Sequence, residues 1–274
     1  MRSTLNKAFV LAVALSSVVA LSACTNASEN AAGPKGDNAG GGVPTEQIAA
    51  APVDPAAAAL LPADVKANGV LKVATDPTYP PYELYAADNK TVVGFDADLA
   101  AAIGQVLGLK VEMVPATFDT ILPGIASQKY DVGMSAFSIT PERQQNADFV
   151  AYQVNGSGLA VPPKNPKNLS LDAMTLCGTK IAGQKGSTQG IQMLPDFSKQ
   201  CTDAGKKAID IQLFPSQSEA NLALVSGRVD GVAADSISMA YQGKLANGTF
   251  ELAAGKDYEP VPTAVALPKD SPLT

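Results

Sequence analysis

From Val70 onward, short apolar runs alternate with stretches of helical period, the pattern of an α/β chain with mainly parallel strands. In the first set, strands are predicted at 70–75, 111–114 and 131–135. Between the first two lies a helix opened by Asp96, whose apolar face is Leu99, Ala102, Ile103, Val106 and Leu107. A short helix is expected at 120–127, and Thr140-Pro141 reads as N-cap and first helical position. After Val161-Pro162-Pro163 a second set begins, with strands at 180–184, 209–214 and 229–234 and helices at 187–199 and 236–245. Ser216-Gln217-Ser218-Glu219 has the form of a capping box for a helix running to Val225. The two sets share a local pattern. Ser127-Gln128-Lys129-Tyr130-Asp131-Val132 matches Ser226-Gly227-Arg228-Val229-Asp230-Gly231, each following a helix and entering a strand. Two similar lobes with a cleft between them are therefore expected: residues 64–155 with a return segment 263–274, and residues 156–262. The hinge is expected near 154–161 and 263–267.

The front of the chain has a different character. Arg2 and Lys7 precede the apolar run 8–20, which is too short to span a bilayer comfortably and reads as an export signal over residues 1–23. Leu21-Ser22-Ala23-Cys24 resembles the lipobox of bacterial lipoproteins, which implies cleavage before Cys24 and acylation of its thiol. Two acyl chains hold a protein on a membrane where one gives only marginal binding. Residues 24–63 are rich in Ala, Gly, Pro and Asn and read as a flexible, lipid-anchored linker. The expected location is extracytoplasmic, on the outer face of the bacterial cell membrane. In that oxidising setting Cys177 and Cys201 are expected to form one disulfide, the alternative being two buried thiols.

Composition narrows the chemistry. Among 274 residues there is no histidine, which removes imidazole acid–base catalysis, Ser-His triads and His-based metal sites. Three cysteines are too few for a Cys₄ zinc site, and a formal charge of −6 argues against nucleic acid as a partner. No metal and no cofactor is expected.

In open α/β sheets ligands sit beyond the carboxyl ends of the strands. The polar residues there are Asp76–Glu83, Ser135–Arg143, Gln184-Lys185-Gly186-Ser187-Thr188-Gln189 and Asp235-Ser236. An arginine, an aspartate, hydroxyls and aromatic rings converging on one cleft suit a small zwitterion.

These stretches, with Gly94-Phe95-Asp96-Ala97-Asp98-Leu99 and Val229–Asp235, resemble the family-3 extracellular solute-binding proteins, the polar-amino-acid receptors of ATP-driven importers. The resemblance implies a two-lobed periplasmic-binding-protein-like (type II) fold. It implies that Arg143 grips the ligand α-carboxylate bidentately, as lysine cannot, and that Asp235 takes the α-ammonium from the other lobe. Ser138 and Thr188 match positions that contact the carboxylate, and Ser135 one that accepts from the ammonium. Tyr79 and Phe118 match rings around the side-chain stem, and Asp76 a residue facing the ligand's far end. Plainer alternatives stand beside these. Arg143 could pair on the surface, Asp235 could cap the next helix, Tyr79 and Phe118 could be core, and Asp76 could serve the turn before Pro77. Of Ser138 and Thr140, one is expected to be a cap.

Asp76 with Gln184 leans toward a basic or amide side chain, whereas Lys185 would suit an acidic one. The function implied is the substrate-binding component of an ABC-type amino-acid importer, a monomer that delivers its ligand to a membrane permease. The alternative is an enzyme on the same fold, such as a cyclohexadienyl or arogenate-type dehydratase, for which only Glu83 and other carboxylates offer an acid or base. The resemblance also implies further helices after the return segment. This chain stops at Ser271-Pro272-Leu273-Thr274, so the C-terminal helices are expected to be missing.

Overall fold

A computed structural model of the chain describes residues 49–274. The export signal, Cys24 and most of the linker lie outside the described residues. From Ala51 the chain is already laid against the body. The Ala51 amide donates to Gln105 Oε1 at 2.7 Å, and the Asp54 amide to the Val106 carbonyl at 2.9 Å. Asp54 then caps a helical turn, α1 (Pro55–Ala59), through the amides of Ala56 and Ala57, with proline at the first position. The end of the stretch read as linker therefore has regular structure.

The first lobe continues with α2 (Ala63–Asn68), β1 (Val70–Thr75), a small meander β2 (Thr78–Tyr79), β3 (Glu83–Tyr85) and β4 (Val92–Val93), and α3 (Phe95–Leu107). Then come β5 (Lys110–Pro115), α4 (Phe118–Ala126), β6 (Val132–Ser138), α5 (Pro141–Gln144) and the long β7 (Ala147–Val161). The second lobe contains α6 (Ala173–Leu176), β8 (Lys180–Gln184), α7 (Leu194–Asp203), β9 (Asp210–Phe214), α8 (Gln217–Val225), β10 (Gly231–Asp235), α9 (Ser236–Leu245) and β11 (Glu251–Leu252). A π-helical turn at Gln189–Met193 leads into α7. The last strand, β12 (Tyr258–Pro268), returns to the first lobe.

Both lobes share one nine-stranded sheet, in the order β5-β1-β6-β12-β7-β10-β8-β9, with β11 on the side of β7. Within each lobe the crossover strands are parallel: β5, β1 and β6 in the first, β10, β8 and β9 in the second. The two crossing strands run antiparallel to each other and to their neighbours. Residues 157–160 of β7 already pair with β10, and Thr263, Ala264 and Ala266 of β12 pair with β6. Between those ladders, Val154 and Asn155 face only Pro262 and Val261. The lobes are thus joined over a narrower crossing than the expected hinge segments.

Burial follows the strand alternation. Leu71 and Val73 of β1 with Val132 and Met134 of β6 pack beneath α3, while Ala74, Phe137 and Ala266 face Ile121 and Ile125 of α4. In the second lobe Ile181, Leu194, Phe197 and Cys201 fill one side of the sheet, and Ala182, Ala223, Leu224, Val232 and Met239 the other. The matched aspartates have matched structural work. Asp131 accepts the Lys72 amide at 2.7 Å and Asp230 the Lys180 amide at 3.0 Å, each closing the start of a strand.

One helix start departs from expectation. Gly94, at φ 120°, holds the N-cap position of α3 and Asp96 lies inside the first turn. A Cβ at Gly94 would stand 2.5 Å from the Tyr82 carbonyl oxygen, so only glycine fits there. Asp96 is turned inward instead of capping. The capping box of Ser216 and Glu219 and the Thr140 cap of α5 both form as predicted.

Cys177 and Cys201 are joined by a disulfide across a separation of 24 residues, tying the end of α6 to α7. Closing a loop of this length stabilises the folded state by about 3.5 kcal/mol in the chain-entropy model. Reduction, or replacement of both cysteines by alanine, is expected to lower the urea unfolding midpoint accordingly, with the second lobe opening first. Identical denaturation curves with and without reductant would refute that contribution.

Candidate functional site

Four strand ends and the start of α4 bring their polar residues to one place. Arg143 lies in α5, whose first turn is set by Pro141 and by Thr140 Oγ1 accepting the Arg143 amide at 3.2 Å. Thr140 is thus the cap and Ser138 is free of that role. The guanidinium donates from Nη1 to the Ser138 carbonyl at 2.8 Å and from Nη2 to the Gly186 carbonyl of the other lobe at 3.0 Å. It also stands over the rings of Phe118 and Phe137, which stack with centroids 4.7 Å apart. Burial pulls its pKa down to about 10, partly offset by the field of Asp235, so it stays charged at neutral pH. Gly186 has φ 79°, and a Cβ there would come within 3.1 Å of the Asp119 backbone.

Asp235 ends β10 and holds the N-cap position of α9, yet its carboxylate makes no capping bond. Oδ1 accepts Gln189 Nε2 at 2.9 Å, and the Asp235 amide donates to the Tyr79 hydroxyl of the first lobe at 2.9 Å. Burial raises its carboxyl to about 6, against the lowering effects of Gln189, Tyr79 and Arg143. Arg143 and Asp235 are 8% and 6% exposed, and among the described residues no ion pair joins them.

Tyr79, Phe118, Ser135, Ser138, Arg143, Gln184, Thr188 and Asp235 all line one cavity of about 20 Å³. Asp76 stands behind that lining. Its Oδ2 accepts the Phe118 amide at 3.1 Å and Gln184 Nε2 at 2.7 Å, and its Oδ1 accepts the Thr78 hydroxyl. Burial raises its pKa, opposed by those three bonds. Tyr79 and Asp76 also serve structure, as the plainer alternatives held: Tyr79 stacks on Tyr82 and Asp76 orders the turn to Thr78.

Three further residues line the cavity without having been singled out: Ala136, Ser187 and Gln189. Gln189 falls in the quoted Gly-Ser-Thr-Gln run, but only the π-helical turn shows that it points to Asp235. Lys185 is at the rim rather than in the cavity, paired with Asp119 at 2.7 Å and more than half exposed. Glu83 does not reach the cavity either; it is fully buried behind Ser135.

The cavity holds little more than one water, because the lobes are closed on each other. Contacts across the cleft include Arg143 to Gly186, Gln184 to Asp76, Lys185 to Asp119, Gln192 to Glu142 and Ser238 to the Pro80 carbonyl. Ser138, Thr188, Gln189 and Asp235 also line a wider groove of about 430 Å³ beside the crossing strands.

Residues 71–271 match the model of the bacterial extracellular solute-binding proteins, family 3. The chain is 31% identical over 229 residues to the arginine-binding protein ArgT of Corynebacterium glutamicum, covering 84% of this chain and 74% of that protein. Its fold is similar to that of holo ArgBP from T. maritima, with a TM-score of 0.68, 26% identity, and 77% and 87% of the two chains covered. It is also similar to an ancestral amino acid-binding protein described as a precursor of cyclohexadienyl dehydratase, with a TM-score of 0.66, 33% identity, and 76% and 86% covered.

Replacing Tyr79 by phenylalanine leaves the Asp235 amide without a partner only while the lobes are closed. A buried donor so stranded costs about 1–3 kcal/mol, and here that cost falls on closure. Tyr79→Phe is expected to enlarge the radius of gyration of the unliganded protein in solution scattering while leaving the secondary structure unchanged. Superimposable scattering curves would show that this bond does not hold the cleft.

Proposed function

The chain belongs to the bacterial extracellular solute-binding proteins, family 3, and on that footing we propose that it captures a cationic L-amino acid, L-arginine first among them, between its lobes. The observation that carries this reading is the pair of buried, opposite and mutually unpaired charges facing one cavity, Arg143 from the first lobe and Asp235 from the second. A free amino acid presents the complementary pair on one carbon. Its α-carboxylate takes the guanidinium through parallel hydrogen bonds, with Ser138 and Thr188 beside it, and its α-ammonium takes Asp235 and Ser135. Phe118 and Tyr79 enclose the stem of the side chain. Asp76 faces its far end, and a guanidinium there replaces the Gln184 amide. With Lys185 committed to Asp119, the acidic ligand loses its one support.

In this reading the protein is a monomer outside the cytoplasm that hands its ligand to the permease of an ABC-type importer, held to the membrane by acylated Cys24. Binding favours the closed lobes by differential contact, since both ends of the zwitterion are satisfied only when the cleft shuts. The absence of catalysis belongs to the same reading: Glu83, one of the carboxyls that could serve an elimination as acid or base, is walled off behind Ser135. The likeness to a dehydratase precursor keeps that activity worth one assay, and turnover of a cyclohexadienyl acid would displace the binding reading.

A thermal-shift screen of the L-amino acids is expected to single out arginine, with saturation at a hundred times Kd adding about 2.7 kcal/mol. No shift with any amino acid would overturn the proposal. Arg143→Ala and Asp235→Ala each strip one partner from a buried charged contact, at a cost of about 3–5 kcal/mol in binding; unchanged affinity in either would remove that residue from the site. The pH dependence follows from Asp235. Its carboxyl, raised to about 6, must be ionised to meet the ammonium. Affinity is therefore expected to be flat above that value and to fall by up to about tenfold per pH unit below it, as read by calorimetry. Asp235→Asn should abolish the dependence along with most of the affinity.

A further inference from the structure

Behind the cavity wall of the first lobe sits a pair of carboxyl groups that touch no basic side chain. Glu83, at the start of β3, is 0% exposed, and Asp96, in the first turn of α3, is 0% exposed. The two lie within hydrogen-bonding reach of each other. Every hydrogen-bond partner of Asp96 outside the pair is a donor: the Ala136 amide at 3.0 Å to Oδ2, and the Tyr152 hydroxyl at 2.8 Å to Oδ1 and 3.0 Å to Oδ2. Asp96 is thereby arranged as the ionised member. Glu83 differs. Its Oε1 accepts the Ser135 hydroxyl at 2.7 Å, while Oε2 is buried without a donor of any kind. A buried oxygen without a donor, in a carboxyl group that neighbours a second carboxylate, is where a carboxylic acid carries its proton.

The remaining titratable groups around the pair are Asp76 just after β1, Tyr79 of β2, Tyr82 from the loop that follows it, and Tyr152 from β7. All are acids, so none assists a second negative charge. Burial pushes both carboxyls up, and the charge of Asp96 pushes Glu83 further.

The consequence lies at Ser135. Its hydroxyl has one hydrogen and two lone pairs. The hydrogen is spent on Glu83, and one lone pair accepts the Asp76 amide at 3.1 Å. What remains toward the cavity is a single lone pair. We infer that Glu83, sharing one proton with Asp96, is a positioning residue that locks the Ser135 hydroxyl as a pure acceptor and so makes this wall of the cavity selective for an N–H donor such as an α-ammonium. The inference rests on the binding reading for its ligand but not for its proton. The same pair steadies the loop behind the site, since Ala136 holds φ 49° and its amide is tied to Asp96.

The test uses the whole chain with Glu83→Gln and Glu83→Leu. The glutamine keeps an acceptor for Ser135 and donates an N–H to Asp96, mimicking the protonated acid; the leucine removes both. Infrared spectroscopy at neutral pH, with no amino acid added, is expected to show the carbonyl band of a buried carboxylic acid that Glu83→Gln lacks. The melting temperature of the wild type is expected to fall as pH rises above the ordinary carboxylate range, because a carboxyl raised in the folded state contributes stability that is lost as pH rises through its folded value. Glu83→Gln should lose that slope.

In calorimetry with L-arginine and its des-amino analogue 5-guanidinopentanoate, Glu83→Leu is expected to weaken the amino acid by about tenfold and leave the analogue unchanged. Glu83→Gln should restore the difference. An absent infrared band, equal losses for both ligands, or equal losses in both variants would overturn the inference. If L-arginine fails to bind the wild type while the band and the fall of melting temperature with rising pH are present, the ligand assignment fails and the shared proton stands. Should Glu83→Leu not fold, the infrared band and the pH profile of Glu83→Gln still decide.

Discussion

Arg143 and Asp235 are taken out of water on opposite lobes, and neither neutralises the other. Burying an ion without its counter-ion is among the most expensive arrangements available to a folded chain. The surroundings show how that cost is held down. Arg143 is spread over two carbonyls and two aromatic faces, and Asp235 is fed by an amide side chain whose second acceptor is the Ser157 hydroxyl. The substitutes are neutral dipoles, good enough to keep each charge in place and too weak to satisfy it. In the proposed function that residual demand is what a zwitterion would answer, and it arises because two lobes bring the charges to one cavity.

The architecture serves that meeting. Parallel strands deliver Asp76, Ser138, Gln184 and Asp235 from their carboxyl ends, and the single sheet running through both lobes keeps those ends facing a shared cleft. The meander before α3 contributes on a different principle. Tyr82 in its loop accepts hydrogen bonds from Gln153 and Asn155 of the crossing strand, at 2.7 and 3.2 Å, so the loop that follows Tyr79 is referenced to the crossing itself. Movement at the crossing and placement of the site are one mechanical problem.

What could be read in advance was whatever the local chain dictates. Thr140-Pro141-Glu142-Arg143 announces a capped helical turn, and Ser216 with Glu219 a capping box; both form. The strand ends and their polar residues followed from alternation of apolar runs. The misses share a different origin. Asp96 looked like a cap because its local signals fit one, yet its partners are an amide 40 residues and a hydroxyl 56 residues away. Gln189 acquires its direction from a π-helical turn that has no residue-level signature. The long strand β7 changes sheet partner along its length, half-exposed at first and then buried, so no single period describes it. Glu83 is the furthest case: its meaning depends on Ser135, 52 residues later, and on a proton.

The short strap at the front of the described chain has a mechanical meaning of its own. Residues 51–59 are fastened to α3, through Gln105 and the Val106 carbonyl, and to nothing in the second lobe among the hydrogen bonds described. Whatever load arrives along the chain from before Ala49 is therefore borne by the first lobe. Were the protein held from that side, Arg143 would belong to the stationary jaw and Asp235 to the one that swings, so that in the proposed binding mode the carboxylate would meet a fixed frame of reference and the ammonium a moving wall.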